Sequence, residues 1–552
     1  MTTINDRVKA LSPEKREALA QLLQQKRAGH SQPRKQVDVA ILGGGLAGLT
    51  LARQLRRAYT DLSILVVDKY PHPVPEAAFK VGESTVELGS YYFREVLGMK
   101  EQLESTQLFK AGLRYYFPAG DNSDITRRVE LGGVVLPPIR SHQLDRGRFE
   151  NTLWEENENQ QIECWDDCSV RKIELGEAEQ VITIRRHEQE ETVVARWVID
   201  AAGRSSLLKR QLDLVEAVEH DVNAVWFRMN AKIDMGTWSD DAEWRGRVPE
   251  GLRWLGTNHL MDRGYWTWLI PLAGDVTSVG IVADGKLHPH QEMNRFDRAL
   301  DWLKRHEPQC FGEVESRKHL LQDFKVLKHY AHGCRRVFSP QRWAITGEAG
   351  VFLDPFYSPG SDFISMSNSL ITDMIGRDLR GEAFERHAEI YNHSYLNTFK
   401  SFLTTYQGQY PLMGNPRVMI AKVVWDWACY WGVSALLFFH GNKLFDVTWA
   451  ASMREQLQRF NALYVEMQLY FRQWATLPPE PQQDKFVNIL GFGCLEELYF
   501  GLEAKLDDEA LKLQVIKNLA MLESIAAECK THGTIQHKNG VHDFGRLGVL
   551  VR

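Results

Sequence analysis

Residues 37–68, VDVAILGGGLAGLTLARQLRRAYTDLSILVVD, decide the fold of this 552-residue chain. An apolar strand runs into a G-x-G-x-x-G turn, a helix and a second apolar strand. The first glycine permits a tight turn, the second lets a pyrophosphate approach the backbone, and the third lets the helix pack on the strand. The helix N-terminus adds free N–H groups and a positive dipole end. The pattern predicts a dinucleotide site formed by Gly43, Gly45, Leu46, Ala47 and Gly48, with Asp68 accepting hydrogen bonds from the ribose hydroxyls.

Composition and charge describe an ordinary globular protein. The chain is 44% hydrophobic and 25% charged, and its net charge of −6 leaves no basic surface for nucleic acid. Its seven cysteines are scattered and odd in number, so we expect free thiols in a reducing, cytoplasmic setting and no metal site. The apolar stretch 423–440 contains Asp426, which favours a buried or groove-lining helix over a membrane span.

Three later segments resemble those by which FAD monooxygenase-type proteins hold their flavin: 143–149, 198–205 and 347–355. The sequence contains a single glycine fingerprint, so we expect no separate NADPH-binding domain. Reduced flavin is therefore expected from a partner reductase or from a transiently bound nicotinamide. The resemblance implies FAD as the cofactor. It assigns to the FAD site Asp200, Gly203, Gly347, Glu348, Asp354 and, as the expected flavin contact of the first segment, Arg148.

The order of these patterns predicts an α/β fold. A Rossmann-type FAD-binding domain carries an inserted mixed β-sheet substrate layer, because short strands with turn signals run from about Phe109 to Ala283. A mainly helical C-terminal region follows. We predict three parts: an N-terminal helix and linker at 1–36, the FAD-binding core at 37–380, and a substrate-covering region at 381–552.

Three further sequence elements resemble motifs of the flavin-dependent halogenases. The resemblance to this family extends over about residues 37–370. WTWLIP at 266–271 fits the family signature W-x-W-x-I-P, in which two tryptophans on one strand face wall a passage beside the flavin. The resemblance assigns Trp266, Trp268 and Pro271 to this tunnel. Lys110, just before the strand LRYYF, takes the position of the family's essential lysine. KVGEST at 80–85 matches the loop that covers the flavin, which adds Lys80, Val81, Gly82, Glu83 and Ser84 to the cofactor site.

This resemblance implies a reaction and its partners. Reduced FAD, supplied by a flavin reductase, reacts with oxygen to a C4a-hydroperoxide, and a halide attacks its outer oxygen. Hypohalous acid then moves along the tunnel to Lys110, where it meets an electron-rich aromatic ring. The lysine ammonium can hydrogen-bond the acid, or its amine can form a chloramine, and burial lowers the lysine pKa towards allowing either. The substrate is free or attached to a carrier protein.

The loop 352–362, FLDPFYSPGSD, departs from the family pattern. Tyr357 stands where enzymes acting on free tryptophan carry a charge-stabilising glutamate, which favours a phenol or pyrrole substrate here. Pro359 offers no N–H where adjacent backbone N–H groups help to bind halide. Losing one charge-assisted hydrogen bond costs about 1.5–3 kcal/mol of halide binding, so the expected halide donors are Gly360 and Ser361.

Two other functions stay open. A flavin monooxygenase would transfer oxygen directly from the hydroperoxide, which Pro359 favours and the intact W-x-W-x-I-P segment disfavours. The other is a flavin-binding protein without oxygenation chemistry, such as a dehydrogenase-like or lipid-reductase relative. A purely structural role would leave Lys110 and both tryptophans unexplained.

Overall fold

The structure, a computed structural model, describes residues 34–76, 82–474 and 484–532, two strands at 534–537 and 540–543, and the single residues Ser12 and Thr476. The predicted N-terminal helix and linker lie outside the described residues, except for Ser12 and 34–36. Lys80 and Val81 of the predicted flavin loop lie outside them as well.

Strands and helices alternate through the first half of the chain, and helices dominate the second. The strands are β1 (Lys35–Leu42), β2 (Ile64–Val67), β3 (Leu108–Lys110), β4 (Leu113–Phe117), β5 (Val129–Gly132), β6 (Ser141–Gln143), β7 (Glu163–Trp165), β8 (Cys168–Leu175), β9 (Gln180–Arg186), β10 (Gln189–Asp200), β11 (Val215–Glu216), β12 (Val222–Met229), β13 (Thr257–Asp262), β14 (Tyr265–Leu272), β15 (Val276–Asp284), β16 (Leu321–Leu327), β17 (Gly333–Cys334), β18 (Trp343–Ile345), β19 (Phe486–Asn488), β20 (Thr534–His537) and β21 (Gly540–Asp543). The α-helices are α1 (Leu46–Ala58), α2 (Glu87–Tyr91), α3 (Lys100–Thr106), α4 (Arg146–Asn159), α5 (Leu207–Gln211), α6 (Ala242–Gly246), α7 (Leu252–Leu255), α8 (Phe296–His306), α9 (Pro308–Ser316), α10 (Gly360–Leu379), α11 (Glu385–Thr404), α12 (Pro416–Cys429), α13 (Leu436–Phe439), α14 (Val447–Ser452), α15 (Arg454–Trp474), α16 (Gly493–Gly501) and α17 (Asp508–His532).

The first sheet is the predicted Rossmann core. Its strands lie in the order β7–β2–β1–β10, all parallel, and β18 also pairs with β10 in parallel. The antiparallel strands β9 and β8 extend the sheet from β10. Helices α1 and α10 pack against each other, and the apolar residues of β1 and β2 are almost fully buried, as in a parallel sheet covered on both faces. The predicted α/β fold is confirmed.

The second sheet has the order β16–β12–β15–β14–β13–β4–β5–β19 and corresponds to the predicted mixed layer. Strand β14 carries Trp266 and Trp268 on one face, because side chains two residues apart point the same way along a strand. On the neighbouring β15, an added Cβ at Gly280 would lie 2.2 Å from the Trp268 ring, so this glycine makes room for the indole. Strand β19, which the helical prediction did not include, adds a C-terminal segment to the edge of this sheet.

The apolar stretch 423–440 is a buried helical segment, as predicted. Helix α12 continues through a π-helical segment at Tyr430–Ala435 into α13. Among the described residues, no helix is long and apolar enough to cross a membrane. All seven cysteines are free thiols.

A buried carboxylate forms ion pairs within the second sheet and with helix α7, close to Lys110. Glu130 on β5 has 0% of its surface exposed. Its oxygens accept hydrogen bonds from Arg114 on β4 at 2.6 Å and from Arg253 on α7 at 3.0 and 2.9 Å. Because β4 follows Lys110 after two residues, this ion cluster fixes the strand that positions the lysine.

We expect the substitution Glu130→Gln to lower the free energy of unfolding by about 3–5 kcal/mol, since it leaves buried guanidinium charges without compensation. Chemical denaturation measures the change. The control is Glu497→Gln in the solvent-exposed pair with Lys517, where the expected change is about 0.5 kcal/mol or less. Equal losses in the two variants would contradict this account of the cluster.

Candidate active site

The glycine turn after β1 shapes the first half of the site. Gly43 has φ +129°, and an added Cβ there would lie 2.2 Å from the Ala201 carbonyl oxygen. An added Cβ at Gly48 would lie 1.9 Å from the Gly43 carbonyl oxygen. At Gly45, by contrast, no atom lies within 4 Å of an added Cβ. The first and third glycines therefore allow backbone packing, and the second faces open space at the start of α1.

This open space belongs to a large cavity of about 3270 Å³, including its mouth. It runs from the glycine turn, along the residues after β10, to the face of β14 that carries the tryptophans. The sequence-predicted residues that line it are Gly43, Gly45, Leu46, Ala47, Asp68, Gly82, Glu83, Ser84, Gly203, Trp266, Trp268, Gly347, Glu348, Asp354, Gly360 and Ser361. Patterns separated by hundreds of residues in sequence thus meet around one elongated cavity.

Two predicted cofactor contacts lie elsewhere. Arg148 pairs with Glu76 at 2.9 Å, and Arg146 lines the cavity in its place. Arg146 and Arg148 are two positions apart in the first turn of α4, so their side chains leave the helix on nearly opposite sides. Asp200 does not line the cavity either. It accepts hydrogen bonds from the N–H groups of Ala202 and Leu208 at 3.0 and 2.8 Å. Asp200 thereby fixes the turn after β10, and the residues of this turn line the cavity.

Pro271, predicted to lie in the tunnel, lines neither this cavity nor the one that contains Lys110. Strand alternation explains the correction, since Trp266, Trp268 and Ile270 share the cavity face of β14 and Pro271 points to the other face. Gly48 lies behind the turn, where it packs helix against strand.

The carboxylate of Asp354 anchors the loop between the cavity and helix α10. Its Oδ2 accepts hydrogen bonds from His220 Nε2 at 2.8 Å and from the hydroxyls of Tyr330 and Tyr410 at 3.0 and 2.6 Å. Its Oδ1 accepts one from the Phe356 N–H at 3.0 Å. With four donors on one buried carboxylate, the start of the loop has a fixed position.

The N-terminus of α10 faces the same cavity. Pro359 is its N-cap and Gly360 its first helical residue, and the Phe363 N–H already donates to the Pro359 carbonyl. Within the described part of the chain, the N–H groups of Gly360 and Ser361 have no acceptor, and the buried Ser361 Oγ has no partner. Because Pro359 precedes the first helical turn, its lack of an N–H does not remove a donor from that turn. The N–H groups of Gly360 and Ser361 remain available.

Lys110 lies in a second cavity of about 1160 Å³, including its opening. Only 1% of its surface is exposed, and its Nζ donates a hydrogen bond to the Thr85 carbonyl oxygen at 2.6 Å. The cavity is rich in aromatic side chains from the C-terminal helices and the preceding loop: Tyr357, Phe402, Tyr406, Trp427, Tyr430, Trp431, Phe460, Tyr464 and Tyr499.

Three carboxyl groups line the Lys110 cavity: Asp426, which is paired with Tyr357 and Lys422, and Glu87 and Asp362, which act electrostatically on the lysine. Burial lowers the pKa of Lys110 to about 8, against the attraction of both acids. Burial also raises the pKa of Asp362 to about 8 and raises that of Glu87. Lys110 and Asp362 therefore change protonation far from the usual pH of their side chains, and the pKa of Glu87 beside them is raised.

Tyr357 also lines the Lys110 cavity, and its hydroxyl donates to Asp426 at 2.8 Å. Asp426 further accepts hydrogen bonds from Lys422 at 2.6 Å and from Gln468 at 2.7 Å. The phenol ring is thus held in place by a fully paired carboxylate rather than being free to move.

The two cavities meet at Pro359, which lines both. Around it the partition is one residue thick: Ser358 and Gly360 face the large cavity, whereas Tyr357 faces Lys110. His259 lies on the large-cavity side of the same partition with 1% of its surface exposed. Burial and then the charge of Lys110 lower its pKa to about 3, so its ring is neutral near pH 7.

Sequence reasoning missed four of these groups: Glu87, His259, Asp362 and Asp426. Asp362 and Glu87 carry a detectable signal, since each is an acid in the first turn of a helix that directly follows a loop resembling a halogenase motif. His259 and Asp426 carry none, because a single histidine in a strand or aspartate in an apolar helix does not reveal its neighbours.

The large cavity fits an FAD molecule on its own geometry. An added Cβ at Gly45, Gly203 or Gly360 would meet no atom of the described residues within 4 Å, so the backbone is uncovered where a ligand needs close approach. The start of α1 supplies N–H donors for a pyrophosphate, and Asp68 follows β2 at the sheet edge.

Comparisons with known proteins agree with this geometry. The profile of the FAD-binding-domain family matches residues 36–272. A flavin-dependent halogenase of Dictyostelium discoideum is 25% identical over 386 residues, which cover 64% of this chain and 62% of that enzyme. A 1H-pyrrole-2-carbonyl peptidyl-carrier-protein chlorinase of Pseudomonas fluorescens is 22% identical over 393 residues, which cover 67% of this chain and 83% of that enzyme. The crystal structure of halogenase PltM with phloroglucinol and FAD matches with a TM-score of 0.64 at 15% identity, over 89% of this chain and 96% of that one.

Gly45→Ala and Gly48→Ala separate cofactor binding from folding. We expect Gly45→Ala to weaken FAD binding at least tenfold while the melting temperature of the FAD-free protein stays the same, because its methyl group enters open cavity. Gly48→Ala should instead lower that melting temperature, because its methyl group meets backbone. Flavin fluorescence titration and thermal denaturation measure the two effects. A Gly45→Ala protein with unchanged FAD affinity would contradict the assignment of the phosphate site.

Proposed function

Because this chain belongs to the flavin-dependent halogenase family, we propose that it halogenates an electron-rich aromatic ring of phenol or pyrrole type. The observation that carries the proposal is the burial of Lys110 in a cavity separate from the cofactor cavity. A substrate beside Lys110 lies across the partition at Pro359, so the oxidant that reaches it has to be a small diffusible molecule. Hypohalous acid is such a molecule.

The cofactor cavity has the parts that this chemistry requires. When bound and reduced, FAD supplies, with oxygen and halide, the oxidised halogen. The N–H groups of Gly360 and Ser361, the Ser361 hydroxyl and the positive end of α10 bind the halide ion. Pro359, although it has no N–H, ends the loop so that the first helical turn begins at the cavity wall.

Lys110 receives the hypohalous acid and presents it to the ring. The hydrogen bond to the Thr85 carbonyl fixes the direction of the ammonium, which leaves its other N–H bonds for the oxygen of the acid. Such a bond stabilises the hydroxide that departs as the halogen is transferred. Burial keeps bulk water from competing for the ammonium or for the oxidant.

The Lys110 cavity suits a flat, neutral aromatic substrate. Nine aromatic side chains line it, and among the described residues no arginine does. Among the similar proteins, one is named for a pyrrole attached to a carrier protein and another was crystallised with phloroglucinol, a phenol. We therefore infer a phenol or pyrrole substrate, free or attached to a carrier protein, and a flavin reductase as the partner that supplies reduced FAD.

Direct oxygen transfer to the substrate is the alternative function, and Pro359 is the residue that favours it. The partition at the same residue argues against it, because a ring held beside Lys110 does not share a cavity with the cofactor.

Lys110→Ala distinguishes the two functions. The assay combines the purified protein with FAD, a flavin reductase, NADH, oxygen, bromide and a panel of phenols and pyrroles. We expect the unchanged protein to give halogenated product and Lys110→Ala to lose at least about a thousandfold in rate, with FAD affinity preserved. An oxygenated product that forms without halide and survives Lys110→Ala would establish the monooxygenase alternative.

A further inference from the structure

We propose that Asp362 is a second catalytic residue, the general base that accepts the proton of a ring hydroxyl as a phenol attacks the halogen. The inference rests on the proposed function and narrows its substrate to rings that carry a hydroxyl group. It assigns the Lys110 cavity two complementary groups, an ammonium for the departing oxygen and a carboxylate for the phenol.

The geometry around Asp362 is that of an oriented base. Its carboxylate, with 1% of the residue exposed, lines the cavity that contains Lys110. Oδ1 accepts a hydrogen bond from the Gly89 N–H at 2.9 Å, and Oδ2 accepts one from the Tyr430 hydroxyl at 2.9 Å. Among the described residues, no lysine, arginine or histidine forms an ion pair with it. Each oxygen keeps a lone pair, and the two donors lock the orientation of the group.

The charged and titratable groups that face Asp362 come from four neighbouring elements: Glu87 of α2, Lys110 of β3, Tyr430 of the π-helical segment, and Tyr406 after α11. Burial, and secondarily the charge of Glu87, raise the pKa of Asp362 to about 8, whereas both hydrogen bonds and Lys110 lower it. An ordinary aspartate, with a pKa of about 4, is a weak base towards a phenol. A carboxylate whose pKa lies nearer that of the phenol accepts its proton more readily.

The reaction step balances with hypohalous acid as the only other reactant. The phenol O–H bond breaks, its proton moves to Asp362, and the oxygen electron pair drives a ring carbon onto the halogen. The carbon–halogen bond forms as the oxygen–halogen bond breaks, and the departing hydroxide takes a proton from the Lys110 ammonium to leave as water. The ring carbon then loses its hydrogen to the Lys110 amine, and the ring oxygen regains a proton from Asp362. The ring is oxidised by two electrons, the halogen is reduced, and both residues return to their starting state.

Glu87 is another carboxyl group of this cavity and serves as the matched control. It is only half-buried, and its pKa is raised by burial, with Lys110 and the Trp431 indole opposing the shift. Unlike Asp362, it accepts no hydrogen bond from a backbone N–H of another described residue. A side chain with this freedom is less suited to hold one fixed proton acceptor.

The first experiment measures binding without turnover. The FAD-loaded, oxidised protein is titrated with 4-methylphenol and with its methyl ether, 4-methylanisole, at pH 9, where Asp362 is ionised. A hydrogen bond from the phenol to the carboxylate should make the phenol bind about tenfold to a hundredfold more tightly than the ether. Asp362→Asn should abolish this preference and Glu87→Gln should retain it. A preference that survives Asp362→Asn, or that is lost in Glu87→Gln instead, overturns the proposal.

The second experiment measures the pH dependence of phenol halogenation. We expect kcat/KM to rise with pH up to about 8, because the base must be ionised, and to fall above it as Lys110 loses its proton. Asp362→Asn should remove the rising limb and lower the rate about a hundredfold or more, with trapped hypohalous acid unchanged. Tyr430→Phe removes a hydrogen bond to the ionised carboxylate and should move the rising limb to higher pH, which tests the proposal if Asp362→Asn does not fold. An unshifted limb in Tyr430→Phe overturns it.

Failure of the proposed function has a different signature. A wild-type protein that releases no trappable hypohalous acid and halogenates no ring is not a halogenase, whatever its preference between the phenol and the ether. A wild-type protein that halogenates phenols and anisoles equally well, with Asp362→Asn equal to it on both, is a halogenase in which Asp362 takes no part.

Discussion

The partition between the two cavities is the constraint on which the rest of this site depends. A single loop, 354–362, separates the cofactor side from the lysine side, and the carboxylate of Asp354 holds its first residue through donors from three separate segments of the chain. Helix α10 holds its last residues. With both ends fixed, the loop directs Tyr357 and Asp362 into the lysine cavity and Ser358, Gly360 and Ser361 into the cofactor cavity. A loop of the same sequence without these anchors would leave the two cavities as one.

The electrostatic character of the lysine cavity follows from that separation. The aromatic wall of the C-terminal helices excludes water from Lys110 and from Asp362, and desolvation shifts the pKa of each towards the other, to about 8. A lysine and an aspartate at a wet surface would carry opposite fixed charges over the whole range between about pH 4 and pH 10. In this cavity, a small change in pH or the binding of a ligand is enough to change the protonation of Lys110 and Asp362.

The sequence predicted the fold and most of the cofactor cavity because these depend on local patterns. Gly43, Gly45 and Gly48 report directly on backbone geometry, and a strand's alternation fixes which way Trp266 and Trp268 point. Arg146 lines the cavity where Arg148 was predicted to, because a helix turns its side chains by about 100° per residue and two positions nearly reverse the direction. Asp362 could not be assigned a role, because its meaning comes from Lys110 and Tyr430, which lie about 252 and 68 positions away and meet it only in the folded chain.

The wall of the lysine cavity is itself made of rings of the kind that the enzyme is proposed to attack. Tyr357, Tyr406, Tyr430 and Tyr464 are phenols, and a phenol reacts with an electrophilic halogen far faster once its hydroxyl has ionised. Burial raises the pKa of all four well above its usual value, which keeps them protonated and comparatively inert. The burial that lowers the pKa of Lys110 thereby also keeps these tyrosines in the form that reacts slowly with the proposed halogenating agent.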